Sequence, residues 1–315
     1  MKCLINLKIA VVQEKRERRG SAMAKIGVVL GGAASKGAYE IGAMRAIEDA
    51  FGIENIKCVS SASIGSIVAQ AHGIGKSEDL ERIWKNLDPE KYGRFILSYS
   101  RNEDILNIIS DTLSKSRVPY EFYVSTWNYT KHKVEYIAFH ELDEEHLAQY
   151  LRGAIAIPII TMGEVIDGDR ILDGAFLDNI PVYPLIDKDL DYIFCIYFDN
   201  YKYYFENDEF NKKIVKLYDF PNEKMLETMV FTPGAMDSMI KYGYDYTMET
   251  IKELFEGKEA EETYRAIAER DAQADENYKP RLTTDTVLTA ITNVTARYSK
   301  RMSKRINIKN AAKNQ

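Results

Sequence analysis

The run from Ile26 to Ile47 sets the architecture of this chain. Ile26-Gly27-Val28-Val29-Leu30 is a short, β-branched apolar stretch, suited to a strand buried on both faces of a parallel sheet. Gly31-Gly32-Ala33-Ala34-Ser35-Lys36-Gly37 follows, and then Tyr39, Ile41, Met44 and Ile47 mark a helix that Gly52 can stop. Lys57-Cys58-Val59-Ser60 reads as a second strand. Ser61-Ala62-Ser63-Ile64-Gly65 then turns into a helix over Ile67–Ala71. Strand, small-residue loop, helix, strand, tight turn and helix make a βαβ unit, so the fold class is α/β with a mostly parallel central sheet.

The rest of the chain extends this pattern. Residues 78–117 are charged and mostly helical, with Ile105, Ile108, Ile109 and Leu113 on one apolar face. Phe122–Trp127 and Val134–Phe139 read as paired strands around a polar turn at Thr130-Lys131. A helix is expected from about Glu144 to Gly153, strands at Arg170–Leu172 and Tyr192–Phe198, and helical segments from 233 to 275. The 315 residues suit one large domain or two ordinary ones of ~150 residues each, and no apolar run reaches the ~18 residues of a membrane span. Cys58 and Cys195 lie in apolar runs and Cys3 leaves the count odd, which favours reduced thiols and a cytoplasmic protein.

Charge is unevenly spread. The net value is −6, yet residues 297–315 carry seven basic residues and no acid, and residues 1–22 carry six against Glu14 and Glu17. The body is therefore acidic, which argues against nucleic acid as a partner. Residues 1–22 read as an N-terminal extension, either frayed or upstream of a translation start at Met23. Their apolar stretch is broken by Lys8 and runs into the charged Glu14–Arg19 segment, unlike a signal peptide. Residues 280–315 form a polar, basic tail. Its spacing of Tyr298, Met302, Ile306 and Ile308 suits either peripheral contact with an anionic membrane or a solvated terminus.

Two loops and one acid carry the chemistry. In the first loop, small residues leave backbone N–H groups open toward an anion at a helix start. The loop is not G-x-G-x-x-G, and no Gly-Lys-Ser/Thr closes it, so a nucleotide site is disfavoured. In the second loop, Ser63 is flanked by small residues at both second neighbours, Ser61 and Gly65. This is the spacing of a nucleophile elbow, although a serine there also serves as a helix cap. Leu172-Asp173-Gly174-Ala175, followed by Asn179-Ile180-Pro181-Val182, puts an acid at a strand end beside a glycine turn. Alone, that motif is equally an Asx turn.

Together these segments, with Ala154-Ile155-Ala156-Ile157-Pro158 between them, resemble the bacterial patatin-like phospholipase family over about residues 25–198. A weaker echo runs through Phe231-Thr232-Pro233 to Tyr242-Gly243-Tyr244. The resemblance implies a three-layer α/β/α sandwich within a domain spanning 23–279, whose C-terminal helical part is 233–275. It implies a catalytic pair, Ser63 and Asp173, and an oxyanion hole from the N–H groups of Gly32, Ala33 and Ala34. Lys36, Gly37, Ser61, Gly65, Gly174 and Ala175 support these motifs. Ser61, Ala33 and Ala34 depart from the family's usual glycines, and an alanine at φ > 0 would cost on the order of 1 kcal/mol.

The implied activity is hydrolysis of a lipid carboxylic ester through a covalent acyl-enzyme, with no cofactor and no metal. An inactive lipid- or protein-binding member of the same fold and an acyltransferase are the alternatives. The four histidines, His72, His132, His140 and His146, all precede Asp173, whereas α/β-hydrolases place theirs last. A Ser–Asp dyad is thus favoured over a triad. The aromatic cluster at 197–210 is either an acyl pocket, a membrane contact or a partly buried strand and cover loop.

Overall fold

The computed structural model describes residues 24–281 except 86–102, 159–160, 200–201, 206, 219, 222–232 and 273–277. In chain order the strands are β1 (Ile26–Leu30), β2 (Ile56–Ala62), β3 (Glu121–Asn128), β4 (Lys133–Ala138), β5 (Glu164–Ile166), β6 (Asp169–Asp173), β7 (Tyr192–Ile196), β8 (Lys202–Phe205), β9 (Ile214–Leu217) and β10 (Tyr278–Arg281). The helices are α1 (Gly37–Phe51), α2 (Ile64–Gly73), α3 (Ser77–Lys85), α4 (Glu103–Asp111), α5 (Glu144–Ala154), α6 (Asp208–Asn211), α7 (Pro233–Phe255) and α8 (Ala260–Ala272). The expected helical region 78–117 is thus α3 and α4, with 86–102 outside the described residues. The N-terminal extension and the basic tail lie outside them as well.

The main sheet runs in the order β5-β6-β3-β2-β1-β7-β9, with β4 also paired to β3. Its centre is parallel, as the β-branched runs predict: β1 pairs with β2 and β7, β2 with β3, and β7 with β9. The end beyond β3 is antiparallel, formed by β4, β6 and β5. Helices flank this sheet as in a three-layer α/β/α sandwich.

The pleat of β1 divides the core. Ile26, Val28 and Leu30 face a large cluster with α1, α2, α3 and α7, while Val29 faces a smaller one. That second cluster is built from Cys58, Ile180, Leu185, Cys195 and the aromatics Tyr197, Tyr203, Phe205 and Phe210. Much of the 197–210 aromatic group is therefore core: Tyr197 and Phe205 are each 1% exposed. Burial of this apolar surface stabilises the fold by about 25 cal/mol per Å². Both Cys58 and Cys195 are buried free thiols, and burial pushes Cys58 up to about 12, so it is not a thiolate at neutral pH.

Helix α7 is locked against α1 through two glycines. A Cβ added at Gly42 would lie 2.0 Å from the Ile240 carbonyl oxygen, and one at Gly243 would lie 2.1 Å from that of Tyr39. Only hydrogen at both positions permits this backbone approach. The contact holds the start of α1, and with it the preceding loop, against the C-terminal helices.

Candidate active site

Ser63 occupies the turn between β2 and α2 with φ 52° and ψ −126°, a strained backbone for a residue with a Cβ. Its neighbours explain why the turn forms. A Cβ added at Gly65 would stand 2.9 Å from Leu30 Cβ, so strand β1 and helix α2 pass too closely for any side chain there. Ser61, the other second neighbour, is buried in β2 between Leu30 and Val124, and its hydroxyl has no hydrogen-bond partner. Serine is thus small enough for the elbow, at the expense of an unsatisfied hydroxyl.

Asp173 ends β6, where its Oδ1 accepts from the Ala175 N–H at 2.9 Å, so the Asx turn expected from the sequence is present. Gly174 is obligatory, because a Cβ there would lie 2.3 Å from the Ser125 backbone. The other carboxylate oxygen, Oδ2, accepts from Ser63 Oγ–H at 2.5 Å. Asp173 is only 4% exposed, and burial pushes it up to about 7 against the two hydrogen bonds that lower it. It is thus poised to exchange a proton near neutrality.

The first loop lies alongside. A Cβ added at Gly32 would be 2.7 Å from Ser63 Cβ and 2.9 Å from Ala175 Cβ. Ala33 is extended (φ −158°), whereas Ala34 takes φ 59°, the left-handed conformation that favours glycine. Lys36 is buried, with Nζ 5.8 Å from the Phe198 ring centre, and Gly37 packs on Ile64. The sequence-derived residues therefore converge: Gly32, Ser63, Asp173, Gly174 and Ala175 are direct neighbours.

The histidines stand apart. His72 is buried, with Nε2 3.3 Å from Glu48 Oε2 but without hydrogen-bond geometry, and burial lowers it to about 4. His140 Nδ1 accepts from the Phe122 N–H, His146 Nδ1 lies on Asp143, and His132 sits at φ 56° edge-on to Tyr129. Among the described residues, no group of three His, Cys, Asp or Glu could hold a metal ion, and no helix is long and apolar enough to cross a membrane.

Two residues with no role in the sequence reading emerge here. Asn179 Oδ1 accepts from the Gly32 N–H at 2.8 Å. Glu40, in the first turn of α1, is wholly buried with neither carboxylate oxygen hydrogen-bonded. Only its place among apolar neighbours in α1 hinted at burial.

A parallel-centred α/β/α sandwich with a serine elbow facing a strand-end aspartate defines the structural class. Residues 28–186 match the patatin-like phospholipase family, and the chain belongs to it. Lysophospholipase NTE1 of Neurospora crassa is 26% identical over 186 residues, covering 54% of this chain and 12% of that one. An NTE family protein of Mycobacterium tuberculosis is 22% identical over 182 residues, covering 55% of this chain and 49% of its own. The chain thus spans a small part of the fungal relatives and about half of the mycobacterial one. Among solved structures, VipD from Legionella pneumophila is similar with a TM-score of 0.45 at 15% identity, over 74% of this chain and 67% of that one.

Proposed function

We propose that this protein is a lipid acyl hydrolase, cleaving carboxylic esters through a Ser63–Asp173 dyad. The observation that carries this reading is the 2.5 Å hydrogen bond from Ser63 Oγ to Asp173 Oδ2. Asp173, ionised, takes the Ser63 hydroxyl proton as Oγ attacks the ester carbonyl carbon. The carbonyl oxygen becomes an oxyanion held by N–H groups of the 32–34 loop. Collapse expels the alcohol, which leaves with the proton from Asp173, and Ser63 remains acylated. Asp173 then deprotonates a water that attacks the acyl carbon, releasing the carboxylic acid and restoring Ser63.

Family membership supports a lipid or simple ester as substrate. The basic tail, residues 297–315, adds peripheral contact with anionic membrane, at about 1 kcal/mol per basic residue near the surface. Truncation after Ala296 should weaken liposome binding at low salt and leave soluble-ester turnover unchanged; equal binding by both forms rejects the contact.

The deciding experiment is labelling by a fluorophosphonate probe, with peptide mapping and p-nitrophenyl ester turnover in parallel. Labelling at Ser63 together with turnover supports the hydrolase. Folded protein that neither labels nor turns over rejects it.

A further inference from the structure

The segment after the catalytic aspartate is braced more heavily than an Asx turn requires. The Gly174 carbonyl accepts from the N–H groups of Leu177 and Asp178, both at 2.9 Å. Asp178 is 5% exposed, and its side chain accepts from Tyr136 Oη at 2.5 Å and from the Ile180 N–H at 3.3 Å. Its carbonyl accepts from Ser125 Oγ at 3.1 Å. Ile180, two residues further on, is 1% exposed within the smaller core cluster. The residue held between these anchors is Asn179.

Asn179 meets the first loop at two points. A Cβ added at Gly31 would lie 3.2 Å from the Asn179 carbonyl oxygen. At Gly32, Oδ1 receives the backbone N–H at 2.8 Å. The Gly32 N–H is therefore spent on a fixed protein acceptor, while among the described residues the N–H groups of Ala33 and Ala34 have no protein acceptor. A 3-10 turn over Ala34–Lys36, closed by the Lys36 N–H on the Ala33 carbonyl at 3.1 Å, leads into α1 at Gly37, and the Gly31 N–H is held by the Ile196 carbonyl at 2.9 Å. Between these two ties, the Gly32 amide is held by the Asn179 side chain. A loop of small residues with one left-handed alanine gains its shape from whatever ties it down.

We propose that Asn179 is the positioning residue of the oxyanion loop. Its side-chain oxygen pins Gly32, and the two following amides, Ala33 and Ala34, are the donors left for the substrate oxyanion. The inference rests on the hydrolase reading above and narrows the hole from three amides to two. It also joins the aspartate turn and the oxyanion loop into one rigid body, since Asn179 lies six residues beyond Asp173. Removing a hole donor outright costs about 10²–10³ in kcat, and a displacement of about 1 Å costs on the order of 10². Loss of the pin alone should therefore cost about 10–100-fold, with little effect on ground-state binding.

The test compares the full chain with Asn179→Ala, Asn179→Asp and Ser63→Ala. In Asn179→Ala, kcat on a soluble ester should fall about 10–100-fold while KM stays within about threefold. Amide exchange at Gly32 should quicken by at least about tenfold, as expected when a protecting acceptor is lost, and should be unchanged in Ser63→Ala. Asn179→Asp keeps an oxygen at the same reach, though its charge opposes the oxyanion, so its kcat should fall between the other two. Wild-type kcat in Asn179→Ala, unchanged exchange at Gly32, or Asn179→Asp no better than Asn179→Ala overturns the proposal. If Asn179→Ala melts below the assay temperature, Asn179→Asp and its Gly32 exchange decide. A wild-type chain without turnover sinks the hydrolase reading, and exchange at Gly32 still reports on the pin.

Discussion

Ser63 and Asp173 hang from consecutive positions of one strand. Ala62, the last residue of β2, pairs in parallel with Ser125, while Asp173, the last residue of β6, pairs antiparallel with Thr126. Strand β3 is thus the ruler that brings two residues 110 positions apart to a 2.5 Å hydrogen bond. The side chains reach each other because both strands end at the same level of the sheet. That pair carries the first predictions.

Ser63→Ala should abolish ester turnover by at least about 10³-fold and leave the melting curve within a degree or two, since it removes one partly exposed hydroxyl. Turnover of a p-nitrophenyl ester is the measurement, and more than about a tenth of wild-type activity would place the nucleophile elsewhere. Asp173→Asn should cost about 10²–10⁴, because an amide takes no proton from Ser63.

Asp173 also fixes a pH dependence. With its carboxyl pushed up to about 7 by burial, kcat/KM should fall below that pH as the base becomes protonated. A limb near ~4, the unperturbed carboxylate value, would contradict the geometry. Stability runs the other way. Between ~3.9 and about 7 the unfolded chain gives up this proton and the folded chain keeps it, so rising pH erodes stability. The full shift corresponds to about 4 kcal/mol, most of it falling between pH 4 and 8, so Asp173→Asn should gain stability relative to wild type as pH is raised across that range. Paired thermal melts across that range would show it.

The histidines should be dispensable. Alanine at His72, His132, His140 or His146 should leave soluble-ester kcat within about tenfold, because the Asp173 carboxylate is engaged by Ser63 and the Ala175 N–H. One folded histidine variant as inactive as Asp173→Asn would convert the dyad into a triad.

Glu40 is a stability liability in α1. Burial holds its carboxyl well above the usual carboxylate range. Its first-turn position favours negative charge by only about 0.3–1 kcal/mol, less than the cost of desolvating an ion. Glu40→Met should therefore stabilise the fold by about 1–3 kcal/mol, the penalty of a buried unsatisfied polar group. The gain should widen as pH rises above ~4.3, where the unfolded glutamate ionises and the folded one does not. Equal or lower melting temperature at pH 8 would show that the carboxyl makes a compensating interaction.

Ala34 stores backbone strain in the loop between β1 and α1. Its φ of 59° costs about 1–2 kcal/mol relative to glycine, while glycine returns about 0.4–1 kcal/mol of unfolded-state entropy. Ala34→Gly should therefore raise stability by about 0–1 kcal/mol with kcat unchanged or higher. A loss of more than about 1 kcal/mol would mean that the alanine methyl packs productively.

Much of this site was legible locally. The elbow depends on residues two positions either side of Ser63, and the aspartate turn on Gly174, whose absent side chain clears the Ser125 backbone. Such requirements are contacts of a turn with the strand beside it, so they leave a mark in residue size. The parallel centre was likewise written in the β-branched runs of β1, β2 and β7. Aromatic residues at 197–210 gave a less decided signal, because a buried strand and an acyl pocket ask for the same side chains. Packing against Cys195 and Ile214 made Tyr197, Phe205 and Phe210 core.

The amino-acid order thus determined the elements, the two loops and the chemistry of the residues at their ends. It did not determine their distances or proton affinities. Those came from the register of β3 with both β2 and β6, which sets Ser63 on Asp173, and from the burial that raises the carboxyl toward neutrality. The Asn179–Gly32 bond, spanning 147 positions, belongs to the same class. Short-range sterics act through neighbours in sequence and are readable there. Desolvation and long-range hydrogen bonds depend on what else the folded chain brings to the spot, and only the tertiary structure fixes that.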